Sequence, residues 1–431
     1  MSVRIAFYAP LKAPDHPVPS GDRTVARLLV SALRAAGYDP EVASALRTFD
    51  RHGASERQRA IREAGGREAD RLVGEFRRRP VAGRPRLWFT YHCYYRSPDW
   101  IGPAVANALA IPYVVAEPSR AGKRASGPWA IGHEGAEAAL DRADLLLATT
   151  PADREALDRA RPPRQRIADL PPFLDLAEWA GTERLAGNSD PRAVTPGLAG
   201  PAKRAGESPE PTARTDAEAL PDLGPSVGSG FSLREPRNDG GVGLSGPTRL
   251  LAVAMMREGD KLASYRELAA ALVCIPASGW TLDIVGDGPA RAEVEALFAG
   301  FGERVTIRGA VEDRAHLASL YAASDLLVWP AVNEAYGMAL LEAQAFGCPV
   351  LAGRHGGVAS VVQDGVTGRL VAPGDVDGFA RTLSEMIADR SSLAGLGEAA
   401  RRFVHRERDL PSAAAILRRE LRQLDAPALA A

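Results

Sequence analysis

The sequence predicts an α/β protein with two doubly wound parallel-sheet domains that face a cleft. Short apolar runs, typical of buried parallel strands, alternate with segments of helical spacing in both halves of the chain. The 431 residues are too many for one hydrophobic core, which favours a division into two such domains. The stretch Ala-Asp-Leu-Leu-Leu at residues 143–147 also echoes Ser-Asp-Leu-Leu-Val at residues 324–328, so we expect the two sheets to be similar.

The first predicted domain covers residues 1–180 and begins with a strand over residues 3–8. Asp22 is in position to cap a helix that runs from about Thr24 to Ala36, because Gly37 then supplies a stop signal. Later apolar runs predict further strands at residues 87–90, 113–116 and 145–148.

The second predicted domain covers residues 248–398 and repeats the plan. Its apolar runs predict strands near residues 250–254, 281–285, 305–308, 326–329, 350–352 and 369–371. Between the domains, residues 181–247 are rich in Pro, Gly and Ser and lack strand or helix periodicity, which predicts a disordered linker. After the second domain, residues 399–431 form the last unit, and an Arg-rich helical pattern spans residues 398–424.

The most informative motif places two carboxylates around the start of a helix. The apolar run at residues 326–329 ends at a proline, so Glu334 falls in the loop at the carboxyl end of a buried strand. Gly337 allows the backbone to approach a ligand closely, and residues 338–346 have helical spacing. Glu342 therefore lies inside the helix and Glu334 before it.

This arrangement suits a nucleotide-sugar ligand. The free amides of Gly337, Met338 and Ala339 form the positive end of the helix, where a diphosphate gains about 0.3 to 2 kcal/mol from the dipole. Two carboxylates beside such a site are expected to accept hydrogen bonds from hydroxyl groups, Glu334 from the sugar and Glu342 from ribose. The alternative is that Glu334 lies on a loop surface and Glu342 on a solvated helix face, as most glutamates do.

These motifs resemble the retaining family-4 glycosyltransferases of the GT-B fold. The resemblance rests on the two glutamates separated by seven residues, on Leu-Asp-Ile-Val-Gly-Asp-Gly-Pro at residues 282–289, and on Gly356-Gly357 leading to Asp-Gly-Val-Thr-Gly at residues 364–368. It is close from about residue 250 to residue 390 and covers the first half in outline. It implies that Glu334 holds the donor sugar, that Glu342 binds ribose, and that the amides after Glu334 hold the diphosphate. It further implies that the acceptor binds the first domain and that the last helix crosses back onto it.

Two loops supply further candidates for donor binding. Residues 9–23 follow the first strand, and the resemblance implies that Gly21 brings this loop against the donor phosphates; the alternative is a glycine that only shapes the turn into the helix. The loop has no G-x-G-x-x-G pattern, which disfavours a dinucleotide-dependent dehydrogenase.

The loop that follows the strand near Val253 contains Arg257 and Lys261, two cations suited to the charge on a departing nucleoside diphosphate. The family places four residues between its two basic residues, whereas only three lie between Arg257 and Lys261. The family spacing therefore points to Met256, and Lys261 is the safer assignment. Gly286 belongs to the loops where the base of the nucleotide is expected to bind. The alternative is that the basic residues of this loop are only solvated.

The sequence departs from the family on the acceptor side. The strand at residues 113–116 is normally followed by a histidine that faces the donor sugar and the acceptor, but Glu117 stands here. His92 ends the neighbouring strand, so either Glu117 or His92 is expected to orient the acceptor hydroxyl. The alternative is that Glu117 caps a loop and His92 packs in the cleft wall.

Composition restricts the partners. The net charge of −1 gives no general attraction to nucleic acid. Cys93, Cys274 and Cys348 lie far apart without metal-ligand spacing, and no Asp-x-Asp pair stands at the end of a predicted strand, so we expect no metal and no cofactor. We also expect a cytoplasmic protein, since the sequence lacks a signal region and an apolar run near the ~20 residues of a membrane span.

Residues 47–86 carry twelve Arg against six acidic residues, with no proline before Pro80. This pattern indicates a solvated helix; the alternative is a basic face in peripheral contact with the inner face of an anionic membrane.

Together these features predict a glycosyltransferase that moves a hexose-type sugar from a nucleoside-diphosphate sugar to a glycan, glycolipid or small-molecule acceptor, as in polysaccharide biosynthesis. Retention of the anomeric configuration is implied by the resemblance. Two alternatives stay open: a non-catalytic protein that binds sugar nucleotides or glycans, and a sugar-nucleotide epimerase.

Overall fold

The computed structural model describes residues 2–18, 20–179 and 246–425. The predicted disordered linker, residues 181–247, lies outside the described residues except for its last two positions. The described residues belong to one compact unit that contains two parallel sheets.

The first sheet confirms the predicted parallel architecture of the first half. Within the described residues it has six strands in the order β2-β1-β3-β4-β5-β6, and every neighbouring pair is parallel. Its strands are β1 (Val3–Tyr8), β2 (Tyr38–Ser44), β3 (Leu87–Cys93), β4 (Tyr113–Pro118), β5 (Leu145–Ala148) and β6 (Arg166–Asp169). The described residues of this half contain five α-helices: α1 (Gly21–Ala35), α2 (Ser55–Arg78), α3 (Gly102–Leu109), α4 (Ala130–Arg142) and α5 (Pro151–Arg159).

The second sheet has the same kind of topology. Its six described strands follow the order β12-β11-β10-β7-β8-β9, again all parallel. The strands are β7 (Thr248–Val253), β8 (Trp280–Val285), β9 (Val305–Gly309), β10 (Leu326–Trp329), β11 (Val350–Gly353) and β12 (Gly368–Val371). The helices of this half are α6 (Asp260–Val273), α7 (Arg291–Phe298), α8 (Arg314–Ala323), α9 (Met338–Ala345), α10 (Val376–Ala388), α11 (Arg390–Glu407) and α12 (Leu410–Asp425).

Helices cover both faces of the first sheet. Successive side chains of a strand point to opposite faces, so they are buried in two different cores. Phe7 packs into a core that includes residues of α1 and α12, whereas its neighbour Tyr8 packs into a core with residues of α2, α3 and α4. Both side chains are fully buried. The apolar strand sequences therefore follow from burial on both faces.

Strand order reverses once in each sheet, between β1 and β3 in the first and between β7 and β10 in the second. In doubly wound sheets the loops at the carboxyl ends of the strands diverge at this point and leave a crevice for a ligand. The loops after β1 and β3, and those after β7 and β10, are therefore the first places to look for a site.

The structure corrects one expectation about α1 and adds two strands to the first half. Asp22 does not cap α1: Ser20 does, its Oγ accepting from the amide of Arg23 at 3.3 Å, and the helix begins at Gly21. Strands β2 and β6 were not predicted. Strand β2 is an edge strand that contains Pro40, a residue that argues against a strand, and β6 has only four residues.

The predicted helix over residues 398–424 is two helices, α11 and α12. Pro411 lies in the first turn of α12, where a proline is tolerated, but its ring prevents a continuous helix through the preceding turn. Asp409 starts the new helix, with its carboxylate accepting from the amide of Ser412 at 2.9 Å.

Helix α12 packs against α1 of the first half. Leu417 and Leu421 are fully buried in the core that contains Leu29 and Leu33. Arg418 donates from Nε to the carbonyl of Ala36 at 3.1 Å, which satisfies a carbonyl at the end of α1. The last helix therefore contributes to the core of the first sheet.

Helix α2 carries most of the arginines of residues 47–86. Its apolar residues Ala69, Leu72 and Phe76 are buried against the first sheet, and Arg71 pairs with Glu68 and Glu75 on the exposed side. Among the described helices, none combines the length and the apolarity that crossing a membrane requires.

Replacement of Leu417 by Ala should destabilise the protein by about 2 to 5 kcal/mol, because it leaves a cavity between α12 and the first sheet. The measurement is the urea unfolding midpoint, with Arg422→Ala, at an exposed position of the same helix, as the control. Equal midpoints for the two variants would contradict the packing of α12 described above.

Candidate functional site

The candidate site lies where the loops after β1, β3 and β4 meet those after β7 and β10. The hydroxyl of Tyr336, from the loop after β10, donates to Oε2 of Glu117 at the end of β4, at 3.2 Å. Nearby, a Cβ on Gly357 would lie 2.3 Å from the carbonyl oxygen of Ala335 and 2.5 Å from Cγ2 of Thr150. Only glycine allows the backbone to pass this closely.

Glu334 and Lys261 form an ion pair at the switch point of the second sheet. Nζ of Lys261, in the first turn of α6, contacts Oε2 of Glu334, in the loop after β10. Trp329 supports the pair: its indole nitrogen lies 3.4 Å from the same carboxylate oxygen, and the Lys261 ammonium lies 5.5 Å from its ring centroid. The structure thus brings together a carboxylate and a cation predicted from different parts of the sequence.

Three backbone amides beside this pair are available to a ligand. Gly337 has a φ of 75° and is the residue before α9, and in the described chain the amides of Gly337, Met338 and Ala339 donate to no protein acceptor. A helix start with free amides is an anion-binding arrangement. A Cβ on Gly337 would lie 3.3 Å from Cγ of Glu334, so this glycine also leaves room for the carboxylate.

Glu342 lies one turn into α9 and is half-buried. The hydroxyl of Tyr321 donates to its Oε2 at 2.9 Å. Burial raises the pKa of Glu342, and the hydrogen bond from Tyr321 opposes that rise. Glu342 is therefore held against α8 and does not project from a fully solvated helix face.

The loop after β8 passes tightly against the loop after β7. Gly286 has a φ of 153°, and a Cβ there would lie 1.9 Å from the carbonyl oxygen of Ala254. A Cβ on Gly288 would lie 2.3 Å from the carbonyl oxygen of Met256. Gly286 is thus needed to bring the two loops together at the carboxyl end of the sheet.

Two predicted donor residues are not brought into contact with the other site residues. Arg257 is exposed, and its side chain makes no hydrogen bond or ion pair with the described residues. The family spacing points to Met256, which is fully buried in the core of the second half. Gly21 is the exposed first residue of α1, and no described atom lies within 4 Å of the position its Cβ would take.

On the acceptor side, His92 lies between two carboxylates. Its Nδ1 is 3.1 Å from Oδ1 of Asp22 and 3.7 Å from Oε1 of Glu117. His92 comes from β3 and Glu117 from the neighbouring β4, and Asp22 comes from the first turn of α1, which follows β1, so the three side chains meet at the carboxyl edge of the sheet. His92 and Glu117 have φ values of 62° and 54°, a left-handed backbone that costs about 1 to 3 kcal/mol outside glycine.

The charges of this cluster are coupled. Burial alone would lower the pKa of His92, but the carboxylates of Glu117 and Asp22 raise it. Burial would raise the pKa of Asp22, but the hydrogen bond and the charge of His92 lower it. Burial raises the pKa of Glu117, against the attraction of His92. The cluster therefore favours a protonated imidazole next to a carboxyl that accepts a proton readily.

Sequence reasoning missed four residues of the site. Asp22 was assigned to a helix cap, although its place in the loop after the first strand was a usable signal. Tyr336 lies inside the glutamate motif, two residues after Glu334. Trp329 and Tyr321 gave no signal, because buried aromatic residues on a strand and a helix are ordinary core residues.

His92 should make stability fall as pH rises above neutrality. Since its folded pKa is raised, His92 contributes stability that is fully present below its unfolded pKa of about 6.5 and is lost as pH rises through the folded value. Urea unfolding of the wild type and of His92→Gln, from about pH 6 to about pH 9, measures this contribution. The loss should be smaller in His92→Gln and unchanged in His52→Gln, an exposed control; parallel curves for all three proteins would refute the coupling.

Comparison with known proteins finds similar sequences for part of the chain and similar folds. Residues 247–389 match the family model described as glycosyl transferases group 1. A sulfoquinovosyl transferase of Arabidopsis thaliana is 37% identical over 120 residues, which is 27% of this chain and 23% of that protein. A D-inositol 3-phosphate glycosyltransferase of Mycobacterium sp. (strain KMS) is 29% identical over 261 residues, 59% of this chain and 47% of that protein. The chain thus spans less than half the length of either relative.

Solved structures extend the similarity of fold to the whole chain. A sucrose-phosphate synthase from Thermosynechococcus elongatus has a TM-score of 0.64 at 19% identity and covers 99% of this chain and 100% of its own. Anabaena HepE in complex with UDP has a TM-score of 0.63 at 13% identity and covers 98% of this chain and 100% of its own. Residues 247–389 thus match the group 1 glycosyl transferases in sequence, and the described part of the chain has the GT-B fold of two Rossmann-like domains.

Proposed function

We propose that the protein transfers a hexose-type sugar from a nucleoside-diphosphate sugar to a glycan, glycolipid or small-molecule acceptor. The observation that carries this proposal is the junction of Lys261, Glu334 and three free amides at the start of α9. A cation and free amides suit the diphosphate, and a carboxylate beside them suits a sugar hydroxyl. The match of residues 247–389 to the group 1 glycosyl transferases supports this assignment.

Each donor residue then has a defined task. The amides of Gly337, Met338 and Ala339 hold the diphosphate, and Lys261 moves from Glu334 towards it. Once Lys261 has moved, Glu334 accepts hydrogen bonds from the sugar hydroxyls. Glu342 accepts hydrogen bonds from the ribose hydroxyls. Each charge-assisted contact contributes about 1.5 to 3 kcal/mol, and the contacts to the diphosphate grow stronger as negative charge develops on it.

In the reaction the bond between the anomeric carbon and the diphosphate oxygen breaks, and the acceptor hydroxyl oxygen forms a new bond to that carbon. The electron pair of the broken bond stays with the nucleoside diphosphate, next to Lys261. The acceptor hydroxyl loses its proton: Glu117 or His92 orients that hydroxyl, and Glu117 receives the proton. The raised pKa of Glu117 suits a group that takes up a proton.

Several finer assignments belong to this proposal. Retention and membership of family 4 rest on the sequence resemblance. UDP-sugars are the first donors to test, because structures of the same fold are described as complexes with UDP and with UDP-glucose. Transfer without a metal, and peripheral membrane contact through residues 47–86, stay predictions.

A thermal-shift screen over UDP-, GDP- and ADP-sugars tests donor binding, since a ligand at 100 times its Kd adds about 2.7 kcal/mol of stability. No shift with any of them would refute the proposed donor site. Product analysis with the best donor then separates the alternatives: an epimerase releases a changed sugar nucleotide without an acceptor, and a binding protein releases nothing.

The two glutamates should differ when each is replaced by Ala. Glu334→Ala should lower kcat by more than about tenfold, because it removes a contact to the reacting sugar, while Glu342→Ala should mainly raise the KM for the donor. Steady-state kinetics with varied donor measures the split, and Glu303→Ala, at an exposed position of the same half, is the control. If both variants behave like Glu303→Ala, the assignment of the donor site is wrong.

Glu117→Gln should lower kcat by at least about 10²-fold while donor binding stays near normal, as expected for lost general acid-base help. The measurement combines transfer kinetics with the thermal shift by donor, and Glu134→Gln, an exposed residue of α4, is the control. Full transfer activity in both Glu117→Gln and His92→Ala would exclude these residues from the mechanism.

A further inference from the structure

Next to the acceptor-side cluster lies an arginine–aromatic patch, formed by Tyr94, Tyr95, Arg96, Arg124 and Trp129. Tyr94 and Ser97 bond each other's backbone in a tight turn after β3, which places Tyr95 and Arg96 at its tip. Arg124 and Trp129 come from the segment between β4 and α4. Sequence patterns did not predict a functional role for any of these five residues.

The patch is continuous with the proposed catalytic cluster. The rings of His92 and Tyr94 are stacked with centroids 4.8 Å apart. Tyr94 meets Tyr95 edge-on at 5.5 Å, and Tyr95 meets Trp129 edge-on at 5.8 Å. A molecule whose hydroxyl reaches His92 therefore lies within reach of these rings.

Two guanidinium groups are held against the rings. The guanidinium carbon of Arg96 lies 5.0 Å from the Trp129 ring centroid and 5.5 Å from that of Tyr95. That of Arg124 lies 5.3 Å and 5.5 Å from the same two centroids. Cation–π contact fixes the planes of both groups and leaves their N–H edges for another partner.

No carboxylate of the described chain neutralises these arginines, although many other arginines of the described residues make ion pairs. The side chains of Arg96 and Arg124 donate no hydrogen bond to the described residues. Nε of Arg96 and the indole nitrogen of Trp129 are buried without an acceptor there. A buried N–H group without a partner is unfavourable, so an anion at this place would relieve it.

More positive charge lies on the side towards the cleft. Burial raises the pKa of Tyr94, reinforced by Asp22, while the charges of Arg96 and Arg47 oppose that rise. Lys12 also interacts electrostatically with Asp22 and with Arg47. Asp22 is already bonded to His92, so positive charge predominates between the cluster and the patch.

We propose that the arginine–aromatic patch binds a phosphoryl group of the acceptor, which makes the acceptor a phosphorylated sugar or a sugar joined to a lipid through phosphate. This inference rests on the proposed function, because it places the acceptor at His92 and Glu117. A phosphoryl group offers three oxygens to two forked donors, and the rings supply a flat surface for the adjoining sugar.

The test measures binding rather than transfer. Isothermal titration calorimetry, with UDP present, compares glucose 6-phosphate and mannose 6-phosphate with free glucose and mannose. A second arm measures co-sedimentation with phosphatidylcholine vesicles that contain or lack phosphatidylinositol. A preference for the hexose phosphates indicates a soluble acceptor, and a preference only for the phosphatidylinositol vesicles indicates a lipid-linked one.

Variants test whether the arginine–aromatic patch causes the preference for the phosphorylated ligand. Arg124→Gln, at an exposed position that cannot disturb the core, and the double variant Arg96→Gln/Arg124→Gln should each weaken binding of the preferred phosphate, the double variant by about tenfold or more. Arg67→Gln/Arg78→Gln removes the same charge from exposed positions of α2 and should have no such effect. Binding should also weaken as salt is added.

Binding of UDP, followed by thermal shift, separates this inference from the proposed function. A wild-type protein that binds none of UDP, GDP and ADP would overturn the donor site. Normal UDP binding without any preference for phosphate, or an equal loss in the patch variants and the α2 control, would overturn the patch as an anion site.

Discussion

The hydrogen bond from Tyr336 to Glu117 joins the two halves of the site. Tyr336 belongs to the loop that carries Glu334, and Glu117 belongs to the cluster that carries His92. The bond therefore connects the side of the molecule suited to a diphosphate with the side suited to an acceptor hydroxyl. The burial that raises the pKa of Glu117 depends on these facing loops, because desolvation is the largest influence on that carboxyl.

Backbone strain marks the same place. His92 and Glu117 end neighbouring parallel strands, and both adopt a left-handed backbone that costs free energy for residues with a Cβ. Each residue stands one position before the last residue of its strand, at the carboxyl edge of the sheet. The interactions that compensate for it are the contacts of His92 with Asp22 and of Glu117 with Tyr336. Strain is thus located where the proposed chemistry takes place.

Much of the fold followed from sequence patterns, because buried parallel strands are short, apolar and bounded by turn residues. The strands at residues 145–148 and 326–329 have the predicted bounds, since burial on both faces leaves no polar position to confuse them. Edge strand β2 and the break between α11 and α12 were not recognised, because partial exposure weakens the hydrophobic pattern in one and the helical pattern continues across Pro411 in the other.

The sequence by itself determined the two-sheet class and the helix start at Gly337 with one glutamate on each side, since these depend on local spacing. Only the tertiary structure decided that Lys261 rather than Arg257 meets Glu334, that Asp22 bonds His92 instead of capping α1, and that two arginines stack on Tyr95 and Trp129. Each of these sets of contacts joins residues from elements that are separate in the sequence. Their distances depend on strand order and on the packing of the two sheets, which local sequence patterns do not specify.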